Sequence, residues 1–223
     1  MLVFLALSWV CVVLYPDPTL LARSIRNISD PDVDARAVAA LAAKLPGDPR
    51  QIEAYVLDRQ VPYAYDWQTW GVPWYFPTTS EALAAGRGDC ESRAVVLSSI
   101  LTAKGIPHSL RVSIGHIWVE YPGKAPNAGE NAGLELAGTR DGRFFIQWPS
   151  DLDPIRELEE QVAIHWTPAP PYRVALLFGG LLLIALWNVG ARRLGGPTAV
   201  FGPRLSPWPA RSRRVLAARP YRV

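Results

Sequence analysis

A cysteine and a histidine are the residues of this chain best suited to covalent chemistry. Cys90 lies in Gly88-Asp89-Cys90-Glu91-Ser92, where an apolar helical pattern begins, and His116 opens the strand-like run His116–Tyr121. The unpaired N–H groups and positive dipole at a helix N-terminus stabilise a thiolate. A neutral imidazole nearby can accept the thiol proton. We therefore expect a nucleophile and a base, each held on a rigid element.

The pattern around these residues predicts the elements that position them. Apolar residues at helical spacing follow Cys90, and Gly105 and Pro107 mark the end of that helix. The apolar runs 109–114, 116–121 and 143–148 predict strands, and residues 122–141 predict a long loop. A further helix is predicted over residues 31–45. Helices followed by an antiparallel sheet indicate an α+β fold.

Composition narrows the class of protein. The chain has 223 residues, enough for one domain of moderate size, and two cysteines, of which Cys11 lies in an apolar N-terminal run. A disulfide framework is not expected, and neither a metal cluster nor a cofactor is implied. Residues 17–171 hold all 20 acidic residues, whereas residues 191–223 carry eight arginines and no acid. Because this basic tail follows an apolar run, a membrane is the expected partner and nucleic acid is not.

Both ends of the chain read as membrane segments. Residues 174–190 carry no charge and are just long enough to span a bilayer, although a buried core helix is the alternative. Residues 1–16 are expected to be an N-terminal transmembrane anchor, with a cleaved signal as the alternative. A fragment of a longer membrane protein is a further alternative. Arginines favour the cytoplasmic side, so residues 191–223 are expected in the cytoplasm. Residues 17–167 then form an extracytoplasmic domain, joined to the span by the Pro-rich linker 168–173.

The motifs resemble those of the bacterial transglutaminase-like family over residues 52–153. The resemblance is carried by Gly88-Asp89-Cys90, by Gly105-Ile106-Pro107 and by His116-Ile117-Trp118-Val119, in that order and at this spacing. It implies a papain-like core, in which a nucleophile helix packs on an antiparallel sheet that carries the histidine and an acidic third residue. In a bacterium, the membrane topology expected above makes this an inner-membrane protein whose catalytic domain is periplasmic or extracytoplasmic.

The third residue of such a triad is where this sequence departs from the family pattern. An Asp-Pro-Thr type ending is expected after the next strand, but here the strand ends in Trp148-Pro149-Ser150-Asp151. Asp151 is the preferred third member. Gln147 is the alternative, because an amide can also orient an imidazole. Glu120 and the Glu130-Asn131 pair in the loop are weaker candidates.

The resulting hypothesis is a membrane-anchored cysteine acyl-transfer enzyme acting on a peptide or protein. Cys90 would form a thioester, with His116 as base, and the acyl group would pass to water or to an amine. The backbone N–H of Cys90 and a side chain such as Gln68 or Trp74 would stabilise the oxyanion, and Trp118 would contact substrate. The competing hypothesis is a catalytically inactive scaffold or peptide-binding module at the membrane surface. The sequence does not decide the oligomeric state.

Overall fold

The computed structural model describes residues 1–125, 130, 132–140 and 143–193. Contacts divide the chain into Met1–Ile184, which holds every element up to the first part of the last helix, and Ala185–Val223. The helices of the described ranges are α1 Leu2–Leu14, α2 Pro18–Ser29, α3 Ala39–Ala42, α4 Pro49–Tyr55, α5 Asp66–Thr69, α6 Thr79–Ala85, α7 Cys90–Ala103, α8 Pro154–Gln161 and α9 Pro171–Arg193. Short π-helical turns cover Val56–Gln60 and Val162–Trp166, and a 3₁₀ turn covers Ala132–Leu134.

The centre of the domain is α7, which is buried along almost its whole length. Val95, Val96, Ile100 and Leu101 are inaccessible to solvent and join one core with side chains of α4, α6 and the sheet. Burying a side chain of this size contributes about 1.5–3 kcal/mol. The predicted helix start at Cys90 is confirmed, and Gly105, at a φ of 68°, follows the helix as predicted. The core therefore fixes the position of the residue that begins α7.

Four antiparallel strands form one sheet in the order β2-β1-β3-β4. They are β1 Ser109–Val112, β2 Ile117–Glu120, β3 Ala137–Arg140 and β4 Arg143–Ile146. The hairpin β1–β2 pairs Val112 with Ile117 and faces α7. The sequence-based expectation of an α+β fold with an antiparallel sheet is confirmed.

Strand β3 lies inside the segment that was predicted to be a loop, so that prediction is wrong over residues 137–140. Strand β3 is accommodated in the sheet by a close approach of two backbones rather than by a pattern of apolar side chains. A Cβ at Gly138 would lie 2.6 Å from the backbone oxygen of Leu110, so glycine permits a close approach of β1 and β3. The insertion of β3 separates β4 from the hairpin that carries His116.

The helix predicted over residues 31–45 is also wrong, because only Ala39–Ala42 is α-helical there. Asp30 instead ends α2, and the following carboxylates bond outside a helix. Asp32 accepts a hydrogen bond from the backbone N–H of Thr79 at 3.0 Å, and Asp34 accepts one from Arg36 at 2.8 Å. These bonds to α6 and to a local turn replace the helix that Pro31 would otherwise begin.

The terminal helices α1 and α9 pack against one another. Trp9 Nε1 donates to the carbonyl oxygen of Leu176 at 3.1 Å, and its ring fills the space where a side chain at Gly180 would stand. Arg173 donates to the carbonyl oxygen of Val13 at 2.5 Å. By length and composition, Pro171–Ala191 qualifies as a membrane span, with a mean hydropathy of 2.1. Helix α1 qualifies only together with α2, from which it is bent by 86°.

Candidate active site

Cys90 is the first residue of α7, and the backbone before it is held by two contacts. Gly88 pairs with Tyr63 in an isolated bridge, and its carbonyl oxygen accepts the N–H of Ala64 at 3.0 Å. A Cβ at Gly88 would lie 2.3 Å from Ser92 Oγ. Glycine therefore allows the backbone to turn into α7 at this angle, and this turn places Cys90 at the N-terminus of the helix.

The surroundings of the Cys90 thiol are acidic. Its S–H donates to Glu91 Oε2 at 3.0 Å, and the other oxygen of the same carboxylate accepts Trp74 Nε1 at 2.5 Å. Burial raises the pKa of Cys90 well above its usual range, and the charges of Glu91 and Asp89 raise it further. A backbone hydrogen bond from Ile117 acts in the opposite direction and is outweighed. Burial and the adjacent carboxylates therefore oppose the thiolate that was expected at the helix N-terminus.

A pair of buried carboxyl groups lies beneath this thiol. Asp66 and Asp89 are 3% and 4% exposed, and in each of them Oδ1 is buried without a hydrogen-bond donor among the described residues. Asp66 Oδ2 accepts the backbone N–H of Tyr75 at 2.5 Å. Burial, followed by the charge of Glu91, raises the pKa of both groups, so the pair retains a proton above the usual carboxyl range. The side chain of Asp89 does not cap α7, contrary to the simplest expectation for an aspartate at that position.

His116 is placed by the turn that joins β1 to β2. Its backbone N–H donates to Ser113 Oγ at 3.1 Å, and its carbonyl oxygen accepts the N–H of Ser113 at 2.8 Å. The imidazole stacks on Trp118, with 5.8 Å between ring centroids and 11° between ring planes. His116 and Trp118 therefore share one face of the hairpin, as strand alternation predicted.

Glu130 is the carboxylate that contacts His116. Its Oε1 lies 3.1 Å from His116 Nε2, and its Oε2 lies 2.9 Å from Lys124 Nζ. Burial alone would raise the pKa of Glu130, but the hydrogen bonds from His116 and Lys124, with the lysine charge, lower it below its usual range. The geometry therefore places an ionised carboxylate at Nε2 of the imidazole.

Lys124 connects this carboxylate to the helical layer. Besides Glu130, Nζ contacts Glu53 Oε1 at 3.1 Å and donates to the carbonyl oxygen of Val119 at 2.7 Å. Its side chain is only 8% exposed, so the three acceptors replace water around the ammonium. Glu53 also accepts the hydroxyl of Tyr121 at 2.5 Å. Lys124 thus fixes Glu130 against α4 and β2.

Cys90 and His116 line the same cavity, which has a volume of about 270 Å³. The backbone hydrogen bond between Cys90 and Ile117 places the sulfur beside the residue that follows His116. The cavity walls are largely apolar, with charged groups at their margins. They include Leu57, Leu97, Trp118 and Ile164, together with Glu53, Arg93 and Glu130.

The two residues predicted to orient His116 make other contacts. Asp151 borders a neighbouring cavity of about 350 Å³ that His116 also borders, but its hydrogen bond is with Ser150 Oγ at 3.1 Å. Gln147 Nε2 donates to Glu135 Oε2 at 3.2 Å. Both follow β4, which β3 and β1 separate from the strand after His116. Glu130, which the sequence ranked lower together with Asn131, is the carboxylate that contacts His116. Asn131 lies outside the described residues.

The residues predicted to contact the oxyanion and the substrate lie in different surroundings. Trp74 Nε1 is occupied by Glu91, so Trp74 does not offer a donor to an oxyanion in this state. Gln68 is exposed, and its backbone oxygen accepts Arg87 at 2.8 Å. Trp118 is buried against His116 and lines the cavity, as expected for a residue that contacts substrate. Lys124 and Asp66 were not anticipated, because no local motif links them to Cys90 or His116.

The only group of potential metal ligands among the described residues is Asp89, Cys90 and Glu91, whose ligand atoms lie within 4.8 Å of one another. Both oxygens of Glu91 already accept hydrogen bonds, and the thiol is held protonated. A soft divalent ion bound to this carboxylate would have to replace the hydrogen bonds that it accepts from Trp74 and Cys90. The donor set is therefore better satisfied as a hydrogen-bonded cluster than as a metal site.

Comparison of the chain with protein-family models, with curated proteins and with solved structures finds no match.

Proposed function

We propose that this chain is a membrane-anchored cysteine acyl-transfer enzyme with a papain-like catalytic core. The observation that carries the proposal is the common cavity of Cys90 and His116, combined with the Glu130 carboxylate on the far nitrogen of the imidazole. A nucleophile, a base and a group that orients the base define this class of site. Cys90 is the nucleophile, His116 the base, and Glu130 the residue that orients His116.

The reaction proceeds through a thioester. His116 Nδ1 accepts the Cys90 proton while the sulfur attacks the carbonyl carbon of a peptide-like amide. The backbone N–H at the start of α7 stabilises the oxyanion. The C–N bond then breaks, and the imidazolium returns the proton to the departing amine. Water, or a second amine, attacks the thioester and restores the thiol, with His116 again acting as base.

The cavity indicates the size of the substrate group. Its volume of about 270 Å³ falls just below the range of typical small-molecule pockets, which begins near 300 Å³. A single amino-acid side chain suits such a space better than a large cofactor. The apolar walls, with Arg93 and Glu53 at the margin, favour a peptide segment that carries one buried side chain.

The raised pKa of Cys90 determines the protonation state from which the proposed reaction starts at neutral pH. The resting thiol is protonated and bound to Glu91, so attack requires proton transfer to His116 in the same step. The bond to Glu91 must break when the sulfur turns towards the substrate. General-base catalysis of this kind typically contributes about 10²–10⁴-fold.

The same observation favours a second candidate, a catalytically inactive scaffold or peptide-binding module. A thiol held in its neutral form by neighbouring carboxylates behaves as a structural cysteine. In that case the cavity still binds a peptide side chain, but no covalent intermediate forms.

Helices α1 and α9 provide the proposed membrane attachment. Pro171–Ala191 has 21 residues, a length that matches the hydrocarbon thickness of a bilayer. Helix α1 alone extends only about 20 Å, less than the thickness of about 30 Å. We propose that the catalytic domain is periplasmic and that the arginine-rich tail, which from residue 194 lies outside the described residues, is cytoplasmic.

Turnover of peptide amides and esters by the purified full chain tests this function. The assay measures amine release with and without an added primary amine, which distinguishes hydrolysis from transfer. Cys90→Ser should lose at least about 10³-fold of the rate, whereas Cys11→Ser should retain it. Equal rates for wild type and Cys90→Ser would exclude the enzyme and leave the scaffold.

A further inference from the structure

Helix α8 exposes its apolar face and turns its polar face towards the domain, which is the reverse of an ordinary surface helix. Its apolar residues Ile155 and Leu158 are 73% and 65% exposed, and Val162, in the following turn, is 46% exposed. The spacing of these residues places them on one face. Surface helices of globular proteins normally bury that face, so these side chains require another apolar environment.

The opposite face of α8 is polar and packs on the domain. Gln161 Nε2 donates to the carbonyl oxygen of Ile114 at 3.2 Å and fills the space beside Gly115. Glu157 and Glu160 border the same cavity as His116. Because the polar face makes these contacts with the turn that holds His116, rotating α8 to bury its apolar face would break them.

The apolar face continues into the proposed membrane helix. Trp166, which ends the turn after α8, lies with its ring centroid 6.4 Å from that of Phe178 in α9. Phe178 is seven residues after the start of α9, which corresponds to about 10 Å along the helix axis. If α9 crosses a bilayer, the ring of Trp166 is at the depth where interfacial aromatic side chains lie.

Two hydrogen bonds attach this segment rigidly to the catalytic domain. Trp67 Nε1 donates to the carbonyl oxygen of His165 at 2.6 Å, and His165 Nδ1 lies 2.9 Å from the carbonyl oxygen of Pro73. At the next residue, the hydroxyl of Tyr15 donates to the carbonyl oxygen of Trp74 at 3.0 Å. Tyr15, at the end of α1, and His165, in the turn before α9, therefore contact the domain at the neighbouring residues 74 and 73, beside the indole that contacts Glu91.

We propose that the face formed by Ile155, Leu158, Val162 and Trp166 is embedded in the surface of the lipid bilayer. The inference rests on α9 crossing that bilayer, and it does not depend on catalysis. The occupant is lipid rather than a protein groove, because the face is continuous with the exposed surface of α9. Helix α8 carries three glutamates and one arginine, so apolar insertion and not attraction to anionic headgroups supplies the binding.

This placement would fix the catalytic cavity against the membrane. Ile164, in the turn after α8, lines the cavity of Cys90 and His116. The cavity would therefore receive peptide segments close to the bilayer, and substrates anchored in the same membrane are the class that reaches it most readily.

A fluorophore that reports lipid contact tests the proposal in the full chain. Leu158→Cys and Arg156→Cys are made separately in a Cys11→Ser, Cys90→Ser background, labelled with nitrobenzoxadiazole and placed in phosphatidylcholine nanodiscs. Arg156 is the matched control, because it lies on the polar flank of the same helix and pairs with Glu160 at 3.0 Å. The background has no nucleophile, so the result is independent of the proposed function.

The Leu158 probe should show blue-shifted emission and loss of intensity with nitroxide lipids labelled near the headgroup, whereas the Arg156 probe should show neither. Two unquenched probes would overturn the proposal. A blue-shifted Leu158 probe that lipid nitroxides do not quench would overturn it in favour of a protein partner. If Leu158→Cys fails to fold, Ile155→Cys on the same face replaces it, with the same outcomes.

Discussion

His116 and Glu130 form the contact that links the hairpin to the segment after it. Glu130 Oε1 lies 3.1 Å from His116 Nε2, and its second oxygen lies 2.9 Å from Lys124 Nζ. One carboxylate therefore bridges an imidazole and an ammonium. In the proposed mechanism this contact orients the ring and assigns the role of base to His116 Nδ1.

Removing the charge of Glu130 should slow acyl transfer. Glu130→Gln keeps the size of the side chain but no longer stabilises the imidazolium, so we expect a fall of about 10–10²-fold in the rate of Cys90 acylation. Asp151→Asn is the matched variant, because Asp151 was the sequence-based choice for the same role. A large loss in Asp151→Asn with none in Glu130→Gln would restore the original assignment.

Lys124 should matter for stability as well as for rate. Lys124→Met leaves Glu53 and Glu130 facing one another without a cation, and removing one partner of a buried ion pair costs about 3–5 kcal/mol. Since Glu130 is partly exposed, we expect the lower end of that range in the free energy of unfolding, measured by denaturant titration. Lys104→Met is the control, because Lys104 makes a single hydrogen bond with the Leu45 carbonyl oxygen. Equal losses in the two variants would show that Lys124 makes no special contribution.

Glu91 should hold the thiol in its neutral form. The pKa of Cys90 is raised by burial and then by Glu91, so deprotonation occurs only at alkaline pH and alkylation accelerates as pH rises. Glu91→Gln removes the charge but keeps an oxygen for Trp74, which should lower the Cys90 pKa and speed iodoacetamide labelling roughly 3–10-fold at pH 8. N-acetylcysteine in the same solution is the reference thiol, because Cys11 lies in α1, the proposed membrane attachment. An unchanged or slower rate at Cys90 would contradict this assignment.

The carboxyl pair of Asp66 and Asp89 should make stability depend on pH. Burial raises the pKa values of both carboxyl groups above the ordinary 3.8. The protonated pair therefore contributes fully to the free energy of unfolding below pH 3.8, and this contribution is lost as pH rises through the raised pKa values. Asp66→Asn keeps an acceptor for Tyr75 and needs no proton. We expect it to be more stable than wild type by about 1–2 kcal/mol at pH 8 and similar at pH 4.

Thermal or denaturant unfolding at the two pH values measures this difference. Asp58→Asn makes the same charge change at an exposed position and should show no such pH dependence. A destabilised Asp66→Asn at pH 8 would mean that the Asp66 charge itself supports the fold.

The sequence predicted the parts of the site that depend on local signals. Gly88, the apolar pattern after Cys90 and the Gly105-Ile106-Pro107 turn were sufficient to locate α7. Alternating apolar residues were sufficient to locate the hairpin and to place His116 and Trp118 on one face. These features are encoded within a few residues of where they act.

The remaining parts depend on contacts between distant residues. Strand β3 has few apolar side chains, and its place in the sheet follows from the absence of a Cβ at Gly138. Glu130 reaches His116 only because Lys124 holds it, and no spacing rule connects those three residues. Asp66, from an element well before α7, raises the pKa of Asp89 through its charge, and local helix-terminus reasoning does not include that contact.

Acylation of Cys90 by p-nitrophenyl acetate tests the central claim most directly. Intact mass and peptide mapping of the full chain measure the acetylation rate of Cys90 at pH 7, in wild type and in His116→Ala, beside the rate of free N-acetylcysteine. A thiol with a raised pKa acylates slowly unless a base removes its proton, so we predict faster acylation at Cys90 than at N-acetylcysteine, and a loss of about 10²-fold or more at Cys90 in His116→Ala. Acylation at Cys90 that is no faster than that of N-acetylcysteine and is unchanged in His116→Ala would contradict the account.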